Sequence, residues 1–173
     1  GEIMPNIFVE ENGRYCIDCS KALWATDKIH DEYQRAGIHI NDLDFVIENE
    51  DCLILLEYKN ANIQGAENPY SFDPEEQKKY STTIRKFYDS LHFLKLVNKA
   101  KPVHFIYVLE YPNGDMVTRK RLREKMKLEL PFTLQKNIGS GTELISKFDI
   151  VSIAEWNSDE EYGKYPIYMV DRI

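Results

Sequence analysis

Leu53-Ile54-Leu55-Leu56-Glu57-Tyr58-Lys59-Asn60 runs four aliphatic residues straight into a carboxylate and an ammonium. A short aliphatic run of this kind is the pattern of a buried strand. Along a strand alternate side chains share a face, so Glu57 and Lys59 point to the same side. Charges at the mouth of a buried strand are costly unless something neutralises or uses them. Just upstream, Asn41-Asp42-Leu43-Asp44-Phe45-Val46-Ile47 predicts a second strand from Leu43 to Glu48, turned back by the acidic Glu48-Asn49-Glu50-Asp51 into a strand from Cys52 to Ile63. That hairpin brings Asp44 beside Glu57. Two carboxylates and the backbone carbonyl of Tyr58 then form an all-oxygen site suited to Mg²⁺ or Mn²⁺. Such an ion polarises a phosphodiester oxygen and lowers the pKa of bound water, with Lys59 placed to orient the nucleophile or stabilise developing charge. The competing reading is a strand end with solvated charges and an ion pair of little energetic weight.

Outward from the hairpin, helices and strands alternate. Ile7-Phe8-Val9 and Arg14-Tyr15-Cys16-Ile17 flank Asn12-Gly13, a hairpin turn signal. A helix is expected from about Lys21 to Ala36, closed by Gly37. Asp73-Pro74-Glu75-Glu76 offers an N-cap, a first-turn Pro and a capping-box Glu for a long helix to about Lys99, with Tyr80, Ile84, Phe87, Leu91 and Leu94 on one face. Val103 to Leu109 reads as a buried strand, and Asp115 caps a further helix to about Leu130. After the Gly139-Ser140-Gly141 loop, Phe148 to Trp156 and Pro166 to Val170 read as strands. The class is α/β or α+β, a mixed sheet flanked by helices.

The chain has 173 residues and a formal net charge of -7, with 43% hydrophobic and 29% charged residues. That composition excludes disordered and low-complexity classes and fits a single domain over 1–173. Apolar runs are too short for a membrane span. The opening Gly1-Glu2-Ile3-Met4 reads as a cloning remnant or trimmed terminus with no secretory signal. The odd count of 3 Cys argues against a disulfide framework and for a reducing, cytoplasmic location. The net charge seems to exclude nucleic acid, but its distribution does not. Residues 1–76 carry 5 basic and 17 acidic side chains, whereas residues 78–127 carry 13 and 4. The basic part includes Lys78, Lys79, Arg85 and Lys86 on one helix and Arg119, Lys120, Arg121 and Arg123 on the next. It is either a solvated face or a surface for a phosphate backbone.

Asp44, twelve intervening residues and Glu57-Tyr58-Lys59, in this setting, resemble the signature of the PD-(D/E)XK nuclease superfamily. The likeness spans about 21–110, with 111–173 as a C-terminal elaboration that matches nothing in the family pattern. It implies a restriction-endonuclease-like core: a helix, the hairpin bearing Asp and Glu-x-Lys, a long helix and another strand. It further implies Asp44 and Glu57 as metal ligands and Lys59 as the catalytic lysine. Members often add a Glu on the first helix, for which Glu32 is the candidate, with Asp31 and Asp27 as alternatives. Some carry a Gln on the helix after the lysine strand, where Gln77 stands. The family's Pro before the Asp is absent. The activity implied is metal-dependent hydrolysis of DNA, ahead of RNA. The alternative is a non-catalytic nucleic-acid-binding or interaction domain of the same fold. A homodimer or a larger multidomain setting is compatible with either.

Other motifs are weaker. Cys16-Ile17-Asp18-Cys19 has zinc-knuckle spacing without a second pair, leaving His30 as a fallback ligand. Cys52, His39, His92 and His104 lack ligand spacing, and His104 reads as a core histidine. Gly139-Ser140-Gly141-Thr142 lacks a phosphate-loop lysine. Tyr70 or Tyr111 is placed to stack on a base if exposed.

Overall fold

The computed structural model describes residues 6–62 and 69–170. The opening Gly1-Glu2-Ile3-Met4 and the expected strand end at Ile63 lie outside them. Among the described residues the fold is mixed α/β, built on two sheets.

The larger sheet has five strands in chain order: β3 (Trp24–Thr26), β4 (Phe45–Glu48), β5 (Leu53–Asn60), β6 (Val103–Glu110) and β7 (Lys147–Val151). Strands β3, β4 and β5 pair antiparallel, whereas β5, β6 and β7 run parallel. A parallel pair needs a crossover, and the intervening helices supply it. Helix α2 (Gln77–Leu96) joins β5 to β6, and α3 (Met116–Lys127) with α4 (Phe132–Ile138) joins β6 to β7. The smaller sheet is antiparallel: β1 (Ile7–Val9), β2 (Tyr15–Asp18) and β8 (Ile167–Met169). Its first turn uses Gly13 at φ +72°, in the left-handed region expected of Asn-Gly.

Alternation along the central strands divides the core in two. Leu53, Leu55, Phe105 and Tyr107 join Ile29 and Tyr33 of α1 (Ile29–Arg35), Ile84 and Phe87 of α2, and Leu122 and Met126 of α3. Ile54, Leu56, Ile106 and Val108 join Ile17, Ile167 and Trp156, the last on α5 (Ile153–Ser158). The four aliphatic residues of β5 are wholly buried because both faces of the sheet are covered.

Three sequence expectations change. The helix expected from Lys21 begins only at Ile29, because Trp24-Ala25-Thr26 pairs with Glu48-Ile47-Val46 as an edge strand. Trp24 there packs on the core under the Lys99 ammonium, 4.9 Å from the ring centre. The long helix begins at Gln77, since Asp73 spends its carboxylate on the Glu75 N–H in a turn ahead of it. The strand expected from Phe148 to Trp156 stops at Val151, where Ser152 and Glu155 form a reciprocal capping box that starts α5. Helix α4 has no counterpart among the expected elements. It ends in Gly139 at φ +66°. The Asp115 cap forms as expected, accepting from the Thr118 N–H at 2.8 Å.

Candidate functional site

The register of the central hairpin sets the site. Phe45 pairs with Leu56, so Asp44 falls opposite Glu57, and Asp44 Oδ2 accepts the Tyr58 N–H at 2.8 Å. Helix α2 holds the approach to Asp44. Its Asp89 Oδ2 accepts the Asn41 N–H at 3.0 Å, and Ser90 Oγ accepts the Leu43 N–H at 3.0 Å.

Glu57 is 4% exposed. Burial first, and then the charge of Asp44, raise its carboxyl well above the usual range. The ammonium beside it belongs to Lys86 of α2, with Nζ 2.7 Å from Glu57 Oε2. That close contact gives Oε2 a charge-compensating partner. Burial works to lower the Lys86 pKa, but Glu57, Asp44 and Asp42 outweigh it, and the ammonium is held charged. Two carboxyl groups against one ammonium in a largely desolvated place favour the protonated form of Glu57.

Lys59 is exposed, with Nζ 5.5 Å from the centre of the Phe72 ring. It lines a cleft of about 190 Å³ with Asp44, Asp27, Tyr58 and Asn60. It also lines a second cleft with Lys78, Lys79, Lys86 and Tyr107. A third joins Asp44, Asp27, Asp42, His30 and Lys86. Asp42 Oδ2 stands 3.0 Å from His30 Nδ1, and burial raises the Asp42 carboxyl despite that imidazole. Asp27 Oδ1 is buried with no hydrogen-bond partner; its cation neighbour is the exposed Lys28 at 3.6 Å.

Several expected site residues stand elsewhere. Glu32 is exposed and pairs with Arg35 on the outer side of α1. Of its two alternatives, Asp31 lines the third cleft and Asp27 lines two. Gln77 is exposed in the first turn of α2, nine residues before Lys86. At ~1.5 Å rise per residue it is roughly 13 Å away along the helix. The Tyr58 side chain crosses to the other face, its hydroxyl accepting from Asn60 at 3.1 Å.

The basic residues divide in the same way. Arg119 is buried, donating to the Leu109 carbonyl at 2.9 Å and pairing with Glu110 at 3.4 Å, so it is a structural arginine. Arg121 makes a two-pronged pair with Glu75, and Arg123 reaches Asp149 at 3.3 Å. Lys120 and Arg85 are exposed outside the three clefts. Lys78 and Lys79, by contrast, line the cleft that contains Lys86.

Lys86 was visible in the sequence only as one of several surface lysines. A signal existed: Thr83, Lys86 and Ser90 form a polar line within a helix face whose Thr83 and Ser90 are buried. The Cys-x-x-Cys fallback does not assemble. Cys16 and Cys19 are free and buried, while His30 is with Asp42.

Asp44, Glu57 and Asp27 offer only oxygen, the donor type a hard divalent cation takes, but among the described residues these three do not converge as a three-ligand group within 4.8 Å. No helix among the described residues is long and apolar enough to cross a membrane. Comparison with protein families, with curated proteins and with solved structures finds no match for this chain.

Proposed function

We propose that the chain is a metal-dependent phosphodiesterase acting on nucleic acid, DNA ahead of RNA, with a restriction-endonuclease-like core. The observation that carries this reading is the buried Glu57 carboxyl facing Asp44, raised well above the usual carboxylate range, with Lys86 against it at the edge of a lysine-lined cleft.

In this reading Asp44, Glu57 and Asp27 hold Mg²⁺ or Mn²⁺. The bound ion supplies Lewis acidity toward a phosphate oxygen and an acidified water. Lys86 keeps Glu57 oriented and offsets part of its charge. Lys59, at the rim shared by two clefts, is placed to steady developing charge on the phosphate. Lys78 and Lys79 take the neighbouring phosphates of the strand, a sequence-independent contact that weakens with salt. Arg119 has no part in it, being buried against Leu109 and Glu110, whereas Arg121 and Arg123 reach the surface in pairs with Glu75 and Asp149.

The test is cleavage of single- and double-stranded DNA and RNA with Mg²⁺ or Mn²⁺, with and without EDTA. Turnover is expected with metal, falling about 100-fold or more in Glu57→Ala. Activity surviving both EDTA and Glu57→Ala would sink the proposal. One observation favours a second reading: the 2.7 Å Lys86–Glu57 contact already offsets one carboxylate. A non-catalytic nucleic-acid-binding domain would show salt-sensitive binding with no turnover under any metal.

A further inference from the structure

At the opposite end of β5, three residues far apart in sequence meet on the other face of the sheet. Cys52 immediately precedes β5, and His104 lies one residue into β6, where it pairs with Ile54 in the parallel ladder. Glu161 comes from the turn after α5, pinned by Asp159 Oδ1, which accepts the N–H groups of Glu161 and Tyr162 at 2.8 and 3.0 Å. One sulfur, one imidazole nitrogen and one carboxylate oxygen from these residues all lie within 4.8 Å of one another.

We propose that Cys52, His104 and Glu161 form a Zn²⁺ site that fastens the 159–165 turn to the central sheet.

The donors suit this ion. Thiolate, imidazole and carboxylate together are the set that borderline Zn²⁺ takes, whereas Mg²⁺ and Ca²⁺ take oxygen alone. Ligand atoms of a tetrahedral Zn²⁺ stand roughly 3.4–3.8 Å apart at ordinary bond lengths. The Cys52 Sγ to Glu161 Oε1 separation of 3.3 Å is already close to that, so side-chain adjustment alone can complete the cluster. A surrounding shell of hydrogen bonds orients the donors, as around resident metals. Asn49 Nδ2 donates to Glu161 Oε1 at 3.1 Å, while Asn49 Oδ1 accepts the Cys52 N–H at 2.7 Å. The Tyr162 hydroxyl meets His104 Nδ1 at 3.1 Å. Burial lowers the His104 pKa, so the ring is neutral and able to coordinate. Without metal, burial and then Glu161 push the Cys52 thiol up to about 12, and its proton is shared with Oε1. On binding, the thiolate bonds the ion and that proton passes to solvent. A cleft of about 520 Å³ lined by Asn49, Lys21 and Tyr165 reaches the Glu161 side of the cluster.

The experiment loads the whole chain with Zn²⁺ or Co²⁺ alone, after removal of metal by chelation. One equivalent of Zn²⁺ is expected to bind and raise the melting temperature. Co²⁺ is expected to give near-ultraviolet thiolate charge-transfer absorption and the visible bands of a tetrahedral ion. Cys52→Ser abolishes the charge-transfer band, and His104→Ala and Glu161→Gln each weaken binding by about tenfold or more. Cys19→Ser and Glu57→Ala leave the band in place. Absence of the band in the unaltered chain, its survival in Cys52→Ser, or its loss in Cys19→Ser overturns the site. The unaltered chain answers the question even where a variant fails to fold, and the spectrum is independent of any hydrolytic activity.

Discussion

Strand β5 leaves the sheet at Glu57, Lys59 and Asn60, and enters it just after Cys52. At the exit, Asp44, Glu57 and Asp27 offer oxygen only, the clefts are open, and lysines from β5 and α2 surround them. At the entry, a buried thiol, an imidazole and one carboxylate are packed beside aromatic Tyr162 and Tyr165. The same backbone thus places carboxyl groups and lysines at one end and a thiol, an imidazole and a carboxylate at the other. The difference teaches that burial of a strand does not fix the chemistry of its ends. Which elements cross each end does: α2 brings cations to the exit, and the turn after α5 brings an acceptor to the entry.

The largest effects are expected at the exit. If Lys86 is the ammonium that orients Glu57, Lys86→Met lowers metal-dependent cleavage by about 100-fold or more. Asp27→Asn is expected to raise the metal concentration needed for half-maximal rate, because it alters a buried unbonded oxygen. Glu32→Gln leaves the rate unchanged, its carboxylate being exposed on the far side of α1. Equal losses in Glu32→Gln and Asp27→Asn would erase the assignment of the third carboxylate. Steady-state rates over a metal titration, with circular dichroism to check folding, decide it.

A smaller effect separates the entry from the exit. Trp156 is fully buried and donates its indole N–H to the Tyr165 carbonyl at 2.7 Å, holding the turn that carries Glu161. Trp156→Phe leaves that carbonyl unpaired and is expected to cost about 1–3 kcal/mol in denaturant unfolding. It should weaken Zn²⁺ binding while cleavage by the folded fraction stays the same. A parallel fall in cleavage would mean that the two ends are coupled.

The smallest effect is a difference in pH response across the β4–β5 hairpin. Glu48, at the closed end, is held below its ordinary value by the Lys99 ammonium at 2.8 Å, with Lys101 at 3.2 Å adding to it. A depressed carboxylate contributes stability above its unfolded pKa and loses it as pH falls through the folded one. Glu57 is raised instead, so its contribution is full below the unfolded pKa and is lost as pH rises through the folded value. Metal-free Glu48→Gln is therefore expected to be less stable than the parent at neutral pH, with the gap closing on acidification below about 4.5. Glu57→Gln should shift stability in the opposite sense at neutral pH. Urea unfolding across a pH series measures both, and curves of the same sign would break the contrast.

Much of this architecture was legible from local pattern. The aliphatic run of β5, the Asn12-Gly13 turn, the polarity of α2 and the Asp115 cap each depend on residues a few positions apart. The misread parts were those where tertiary pairing overrode local preference. Trp24-Ala25-Thr26 became a strand because β4 offered an edge. The capping box at Ser152 and Glu155 was a readable signal that the hydrophobic alternation from Phe148 obscured.

By itself the sequence determined the buried hairpin and hence the meeting of Asp44 with Glu57, because the twofold period of a strand and a short turn fix which side chains are neighbours. It also determined that acidic and basic residues occupy different segments. Only the tertiary structure decided that Lys86 rather than Lys59 contacts Glu57, that Asp27 rather than Glu32 enters the clefts, and that Arg119 is committed to the interior. Only it brought Cys52, His104 and Glu161 together. The physical reason is range: strand alternation and helix caps act over a few residues. The partner of a buried charge or thiol is chosen by where packed helices and turns cross the sheet, which is settled by contacts between residues far apart in the chain.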